Sequence, residues 1–330
     1  FWMSGWAAAD LGQQLGVPVV QIFHAMGKTK QRHQGAADTS PEERIGVEIE
    51  VVRAADRVIA QCPSERDELV DDYGAPPDKV EVIPSAVNTE TFRPLSRAEA
   101  RRQIEPELGI GPEDEVVGYV GRMLPRKDVR NVVRAFASLV RDREAAGRPA
   151  PKLLLVGGET GAPDPTATPE IGVLQGMAAD LGVADLVCFT GNCQQDVLHR
   201  YYGASDVVVT TPWYEPFGLT PLEGMACGRP VVGSAVGGIT FTIAEGVTGF
   251  LVPPRDPEAL AARLRELLDR PGLRDRMGRA ARERVERFFT WPTVAERTAA
   301  LYEELWAEAS RGVAKRAAAP SDARALVKAR

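Results

Sequence analysis

Short apolar runs punctuate the chain, and between them apolar residues recur every three or four positions. From Glu115 onward the alternation is regular. Runs at 115–121, 152–157, 186–190, 206–210, 230–234 and 249–252 predict strands, and helical spacing fills the gaps at 128–144, 168–181, 194–203, 220–228 and 239–245. Continuous apolar strands alternating with helices imply a parallel sheet covered on both faces. Helices follow at 256–269, 272–287 and 291–310, and then a basic, Ala-rich tail that reads as mobile.

The chain before Glu115 is less regular. "GVPVVQIFH", "RVIAQ" and "KVEVIPSAV" predict strands, and "IGVEIEVVRAAD" predicts a helix. A further helix starts at Ser64, read as its N-cap, and stops at Gly74. "AMGKTKQRHQGAADTSPEER" reads as a polar, basic loop, and "NTETFRPLSRAEARRQI" as a connector. Three strands are few for an independent sheet of this class, and aromatics with an amphipathic run appear from Phe1. The expectation is an incomplete first domain.

Composition adds mostly exclusions. The 330 residues suit two domains, and a formal net charge of -6 gives no field that favours nucleic acid or acidic membranes. No apolar stretch is long enough to predict a membrane span. Cys62, Cys188, Cys193 and Cys227 lack C-x-x-C spacing and read as thiols of a reducing cytosol, so a cytoplasmic location is expected.

Candidate chemistry gathers at strand ends, where doubly wound sheets bind ligands. In "TTPWYEPFGLTPLEG", Glu215 lies in a loop and Glu223 in the helix after it. Thr220 reads as the N-cap and Pro221 as N1, so Glu223 fits a T-x-x-E capping box. The alternative is ligand binding: free N–H groups after Gly218 suit a phosphate, and two acids suit sugar hydroxyls. In "GYVGRMLPRKD", Arg122 and Lys127 follow a strand and can clamp a diphosphate, or simply be solvated. No G-x-G-x-x-G follows a strand, Ile22 stands where a phosphate-binding "GKT" loop needs glycine, and no D-x-D pair is present.

These residues resemble a family. "EPFGLTPLE" has the E-x7-E pattern, and with "GRMLPRKD", "MACGRPVVGSAVGGI" and "GVTGFLVPPRDPEAL" it is similar to retaining glycosyltransferases of family 4. "HAMGKTKQRH", "RIGVEIEVVRAADRVIAQCPSERDEL" and "VIPSAVNTETFRP" are similar to its sucrose-phosphate synthase and mycothiol glycosyltransferase branches. The resemblance implies the α/β GT-B fold: two doubly wound, Rossmann-like domains facing a cleft, the first incomplete by roughly the family's first hundred residues. It divides the chain into a partial acceptor-side domain (1–92), a linker (93–110), a nucleotide-sugar-binding domain (111–285), a helix packing back on the first domain (286–311) and a tail (312–330).

By the same resemblance, a hexosyl group moves from a nucleotide sugar, UDP-glucose or UDP-N-acetylglucosamine, with retention and without metal or other cofactor. Arg122 and Lys127 stabilise the departing β-phosphate, Glu215 holds donor-sugar hydroxyls and Glu223 the ribose. Gly121 and the backbone of Phe217, Gly218, Leu219 and Thr220 meet the donor, Gly191 and Asn192 lie by the base, and His24 faces the sugar from across the cleft. Lys30 and Arg44 hold an acceptor phosphate, as on a sugar or inositol phosphate, unless their loop is only a solvated charge run. Val129-Arg130 stands where many relatives carry a glycine. A UDP-sugar epimerase, a phosphorylase on the same fold, and a nucleotide-sugar binder without turnover remain alternatives.

Overall fold

The computed structural model describes residues 1–318. The N-terminal layer comprises α1 (Trp2–Leu15), β1 (Val20–Ile22), α2 (Gly27–Gln34), α3 (Arg44–Ala54), β2 (Arg57–Ala60), α4 (Pro63–Asp71) and β3 (Val80–Val82). Its strands form one parallel sheet, ordered β1-β2-β3, with Val20 opposite Arg57 and Val58 opposite Val80. Val51, Val52, Val58, Leu69 and Tyr73 are buried together between this sheet and its helices.

Two stretches depart from the expectations above. The segment read as a polar loop contains α2, whose sequence GKTKQRHQ has no apolar face to announce a helix. It is held from outside: Gly27 N–H donates to the Glu48 carboxylate at 2.9 Å, and Lys28 N–H to the Tyr73 hydroxyl at 2.8 Å. Two orphan donors of the first turn are thereby satisfied by distant residues. The N-cap of α4 is Cys62 rather than Ser64, with Pro63 in the first turn. Glu65 reaches back to accept the Gln61 N–H at 2.6 Å.

The stretch read as a connector contains α5 (Arg97–Leu108). Its buried Ala100 and Ile104 are a thin apolar signal, while Arg101 is buried and paired with Asp206 at 2.5 Å. The second layer follows as β4 (Val116–Val120), α6 (Val129–Ala145), β5 (Lys152–Val156), α7 (Pro169–Asp180), β6 (Val187–Gly191), α8 (Leu198–Ala204), β7 (Val207–Thr210), α9 (Leu219–Ala226), β8 (Val231–Ser234), α10 (Ile239–Thr242), β9 (Gly249–Val252), α11 (Pro257–Asp269) and α12 (Pro271–Phe288).

The six strands are parallel, in the order β6-β5-β4-β7-β8-β9. Every residue of β4, β7 and β8 is buried, as a sheet covered on both faces requires. α6 faces the sheet with Val129, Val132, Val133, Phe136 and Leu139, each worth about 1.5–3 kcal/mol of burial. The chain leaves β4 in one direction and returns to lay β7 on its other side. The crevice above the carboxyl ends of β4 and β7 is therefore the switch point of the sheet.

α13 (Trp291–Ala318) crosses back to the first layer. Leu301 and Leu305 are buried with Ile59 and Ile83, and Arg57 pairs with Glu308 at 3.1 Å. Beside the return crossing, Val87 N–H donates to the Phe289 carbonyl at 2.9 Å, and Val87 bridges Thr290. Of the tail expected at 312–330, residues 312–318 continue α13 and the remainder lies outside the described residues. Among the described residues no helix is long and apolar enough to cross a membrane.

Candidate active site

The loops after β4 and β7 face each other at the switch point and are stapled together. Trp213 N–H donates to the Arg126 carbonyl at 2.9 Å, and the Thr211 hydroxyl to the Asp128 carbonyl at 3.1 Å. The third staple is ionic. Lys127 Nζ donates to Glu215 Oε2, and only 15% of either side chain is exposed. Burial pushes Lys127 below its ordinary pKa, with Arg126 and Arg122 adding to the fall and Glu215 opposing it. The Arg122 carbonyl accepts the Tyr119 hydroxyl at 3.1 Å, while its guanidinium stands on the exposed rim with no hydrogen-bond or ion-pair partner among the described residues.

Gly218 begins α9 with φ 96°, a backbone that favours glycine, and no side chain caps the helix. The capping box read from T-x-x-E is not formed. Thr220 lies inside the helix, and Glu223 accepts the Tyr202 hydroxyl at 2.7 Å. Burial pushes Glu223 up to about 7, against that hydrogen bond. The first-turn N–H groups of α9 thus remain available to a ligand.

The first sheet supplies the opposite wall. His24 follows β1 with φ 63°, a conformation costing a non-glycine residue roughly 1–3 kcal/mol. Its Nδ1 lies 3.2 Å from Gln61 Oε1, which also accepts the Ser85 hydroxyl at 2.5 Å. The cavity between the layers measures about 470 Å³ and is bounded by His24, Arg122, Lys127, Glu215 and the first turn of α9. Its cations, free amides, carboxylate and imidazole suit an anion joined to a hydroxylated ring.

Residues 100–284 match the family described as Glycosyl transferases group 1, and residues 1–91 match Glycosyltransferase Family 4. The chain belongs to the group 1 glycosyltransferases. The D-inositol 3-phosphate glycosyltransferase of Acidothermus cellulolyticus is 37% identical over 96% of this chain and 69% of its own length. The enzyme of that description from Streptomyces avermitilis is 39% identical over 92% and 63%. The chain thus spans about two thirds of these relatives. Sucrose-phosphate synthase from Thermosynechococcus elongatus has a TM-score of 0.80 at 34% identity, covering 93% of this chain and 73% of that one. Anabaena Alr3699/HepE in complex with UDP has a TM-score of 0.79 at 20% identity, covering 92% and 77%, a likeness of fold. The two parallel sheets are those of a GT-B glycosyltransferase.

Not every residue expected in the glycosyltransferase site lines the cavity. His24, Gly121, Arg122, Lys127, Glu215 and the run Phe217 to Thr220 do. Glu223 stands behind them on α9, tied to Tyr202. Gly191 and Asn192 lie two strands away at the end of β6, where Asn192 N–H donates to the Thr160 carbonyl at 2.7 Å. Lys30 pairs with Asp38 at 3.0 Å, and Arg44 is buried against Glu48 at 2.8 Å; both donate to the Ser40 hydroxyl. Gln61 and Ser85 escaped the sequence reading because the stretches that carry them, although part of the family resemblance, single out neither residue. The one signal was that each lies at a strand end of the layer that carries His24.

Proposed function

We propose that this glycosyltransferase moves a hexosyl group from UDP-glucose or UDP-N-acetylglucosamine to a hydroxyl of a polyol or sugar phosphate, with retention of configuration. The observation that carries the reading is the buried Lys127–Glu215 pair at the switch point, beside Arg122 and the uncapped start of α9. A diphosphate laid there meets two cations and free amide dipoles that stabilise charge on the leaving phosphate. It draws Lys127 from Glu215, which leaves that carboxylate free for sugar hydroxyls.

The acceptor hydroxyl attacks the anomeric carbon from the face the diphosphate leaves. The new C–O bond forms as the sugar–phosphate bond breaks, and the acceptor proton passes to the departing phosphate oxygen. Glu223, bonded to Tyr202, holds the ribose and takes no part in the transfer. No cofactor enters the scheme. The acceptor class is supported by relatives named for inositol phosphate and by the sucrose-phosphate synthase likeness. Lys30 and Arg44, joined through Ser40, are assigned to its phosphate.

Thermal shift with UDP-, GDP- and ADP-sugars tests the donor, since a true ligand raises apparent stability by mass action. Transfer to inositol phosphate, with the anomeric configuration read by NMR, tests the rest. An inverted product, or UDP-sugar binding without transfer to any phosphorylated polyol or sugar, overturns it.

A further inference from the structure

A second cavity of about 260 Å³ adjoins the first and shares Glu215 and Pro216 with it. α2 contributes Thr29, Lys30 and His33 to its wall, and α4 contributes Ser64, Glu65 and Glu68. Glu65 is 4% exposed, and its two oxygens differ. Oε2 accepts the Gln61 N–H at 2.6 Å, whereas Oε1 is buried with no hydrogen-bond partner. An unsatisfied buried acceptor costs about 1–3 kcal/mol, and more when charged, so such groups are few in native structures. Burial, with Glu68 nearby, also pushes this carboxyl up to about 7, against the hydrogen bonding from Gln61. The neighbouring Glu68 already accepts the Thr29 hydroxyl at 2.6 Å.

We infer that Glu65 is a specificity-determining residue whose free oxygen accepts a hydrogen bond from a ring hydroxyl of the acceptor, seated in this second cavity. The inference rests on the polyol-phosphate reading above. An acidic wall on α4 facing Lys30 on α2 sorts such a molecule end from end: hydroxyls toward the carboxylates, phosphate toward the cation. Glu65 is also linked to the first cavity, because the Gln61 whose N–H it holds carries the amide oxygen beside His24. A hydroxyl bound at Glu65 therefore seats the acceptor ring with a second hydroxyl directed at Glu215 and the donor.

The test is calorimetry of D-inositol 3-phosphate, and of analogues each lacking one ring hydroxyl, against the full chain saturated with UDP. Glu65→Gln keeps an oxygen for the Gln61 N–H and replaces the free acceptor with an amide that only donates. At pH 8, above the raised titration of Glu65, acceptor affinity should fall roughly ten- to a hundredfold, the range for a hydrogen bond to a charged group. UDP affinity should hold. One deoxy analogue should lose that factor on the wild type and nothing further on the variant. If Glu65→Gln does not fold, Glu65→Asp, which keeps the charge but withdraws it by a methylene, takes its place in the same comparison. Equal acceptor affinities for wild type and variant overturn the role of Glu65 and leave the acceptor class standing. A wild type that binds UDP but no polyol phosphate overturns the acceptor class, and this role with it.

Discussion

Gly237 sits so close to Glu215 that a Cβ on the glycine would lie 2.2 Å from the Glu215 carbonyl oxygen. The next residue, Gly238, donates its N–H to that oxygen at 3.0 Å, and a Cβ there would meet Phe217 Cα at 2.3 Å. The "VGGI" stretch after β8 is thus the backing of the Glu215 loop. Gly237→Ala, also strained by φ 43°, should displace that loop. Displacement of reacting groups by about 1 Å can cost 10²-fold, so transfer should fall by at least that factor. Steady-state kinetics beside a melting curve checks this, and full activity would show that the loop position does not matter.

Lys127→Ala removes a cation aimed at the leaving phosphate. The expected loss in kcat is about 10²–10³-fold, as for other preorganised charge-stabilising donors. Glu215→Ala should also reduce turnover. Because the two side chains touch, the double variant should lose less than the combined single losses predict, which a double-mutant cycle measures.

Glu223 makes stability depend on pH. Folded, it keeps its proton up to about 7; unfolded, it loses it near its ordinary 4.5. Between those values the folded state binds more protons, so stability falls as pH rises. The penalty is absent below that window and complete above it, at roughly 3 kcal/mol or less. Glu223→Gln should flatten its share of the decline, leaving the similar contribution of Glu65, and urea melts at pH 5 and 7.5 compare the two. The same variant should weaken UDP binding.

Tyr214 joins the layers beside the second cavity. Its ring stacks on His33 at 4.8 Å, Arg126 lies over it at 5.3 Å, and Gln34 donates to its hydroxyl at 2.7 Å. Burial, with Arg32 and Arg255 nearby, holds His33 below its ordinary pKa. Its contribution to stability is present above the ordinary histidine value of about 6.5 and is lost as pH falls through and below it. Tyr214→Ala should loosen the layers and raise the acceptor KM several-fold with less effect on UDP affinity. An unchanged acceptor KM would remove Tyr214 from the acceptor wall.

The second layer could be read from sequence because buried parallel strands such as "VVGYV" and "DVVVTT" are apolar throughout, and the helices between them carry one apolar face. α2 could not, since its first turn is satisfied by Glu48 and Tyr73, residues far along the chain. α5 hid for a related reason: one of its buried positions is Arg101, acceptable there because Asp206 neutralises it. In the site, Glu215 and Lys127 were readable from their motifs, but their mutual pairing was not. Glu223 shows the limit of local pattern. T-x-x-E invites a cap, yet the helix starts two residues earlier, with Gly218 as its N-cap, and the carboxylate turns to Tyr202.

Because the chain passes between the layers twice, near Val87 and again near Phe289, and the two passages are hydrogen-bonded to each other, the two crossings form one seam. A door hung on one seam swings about it and does little else. An opening that admits the donor is expected to turn about the Val87–Phe289 line, and a distance probe across the Tyr214–His33 contact, read with and without UDP, checks it.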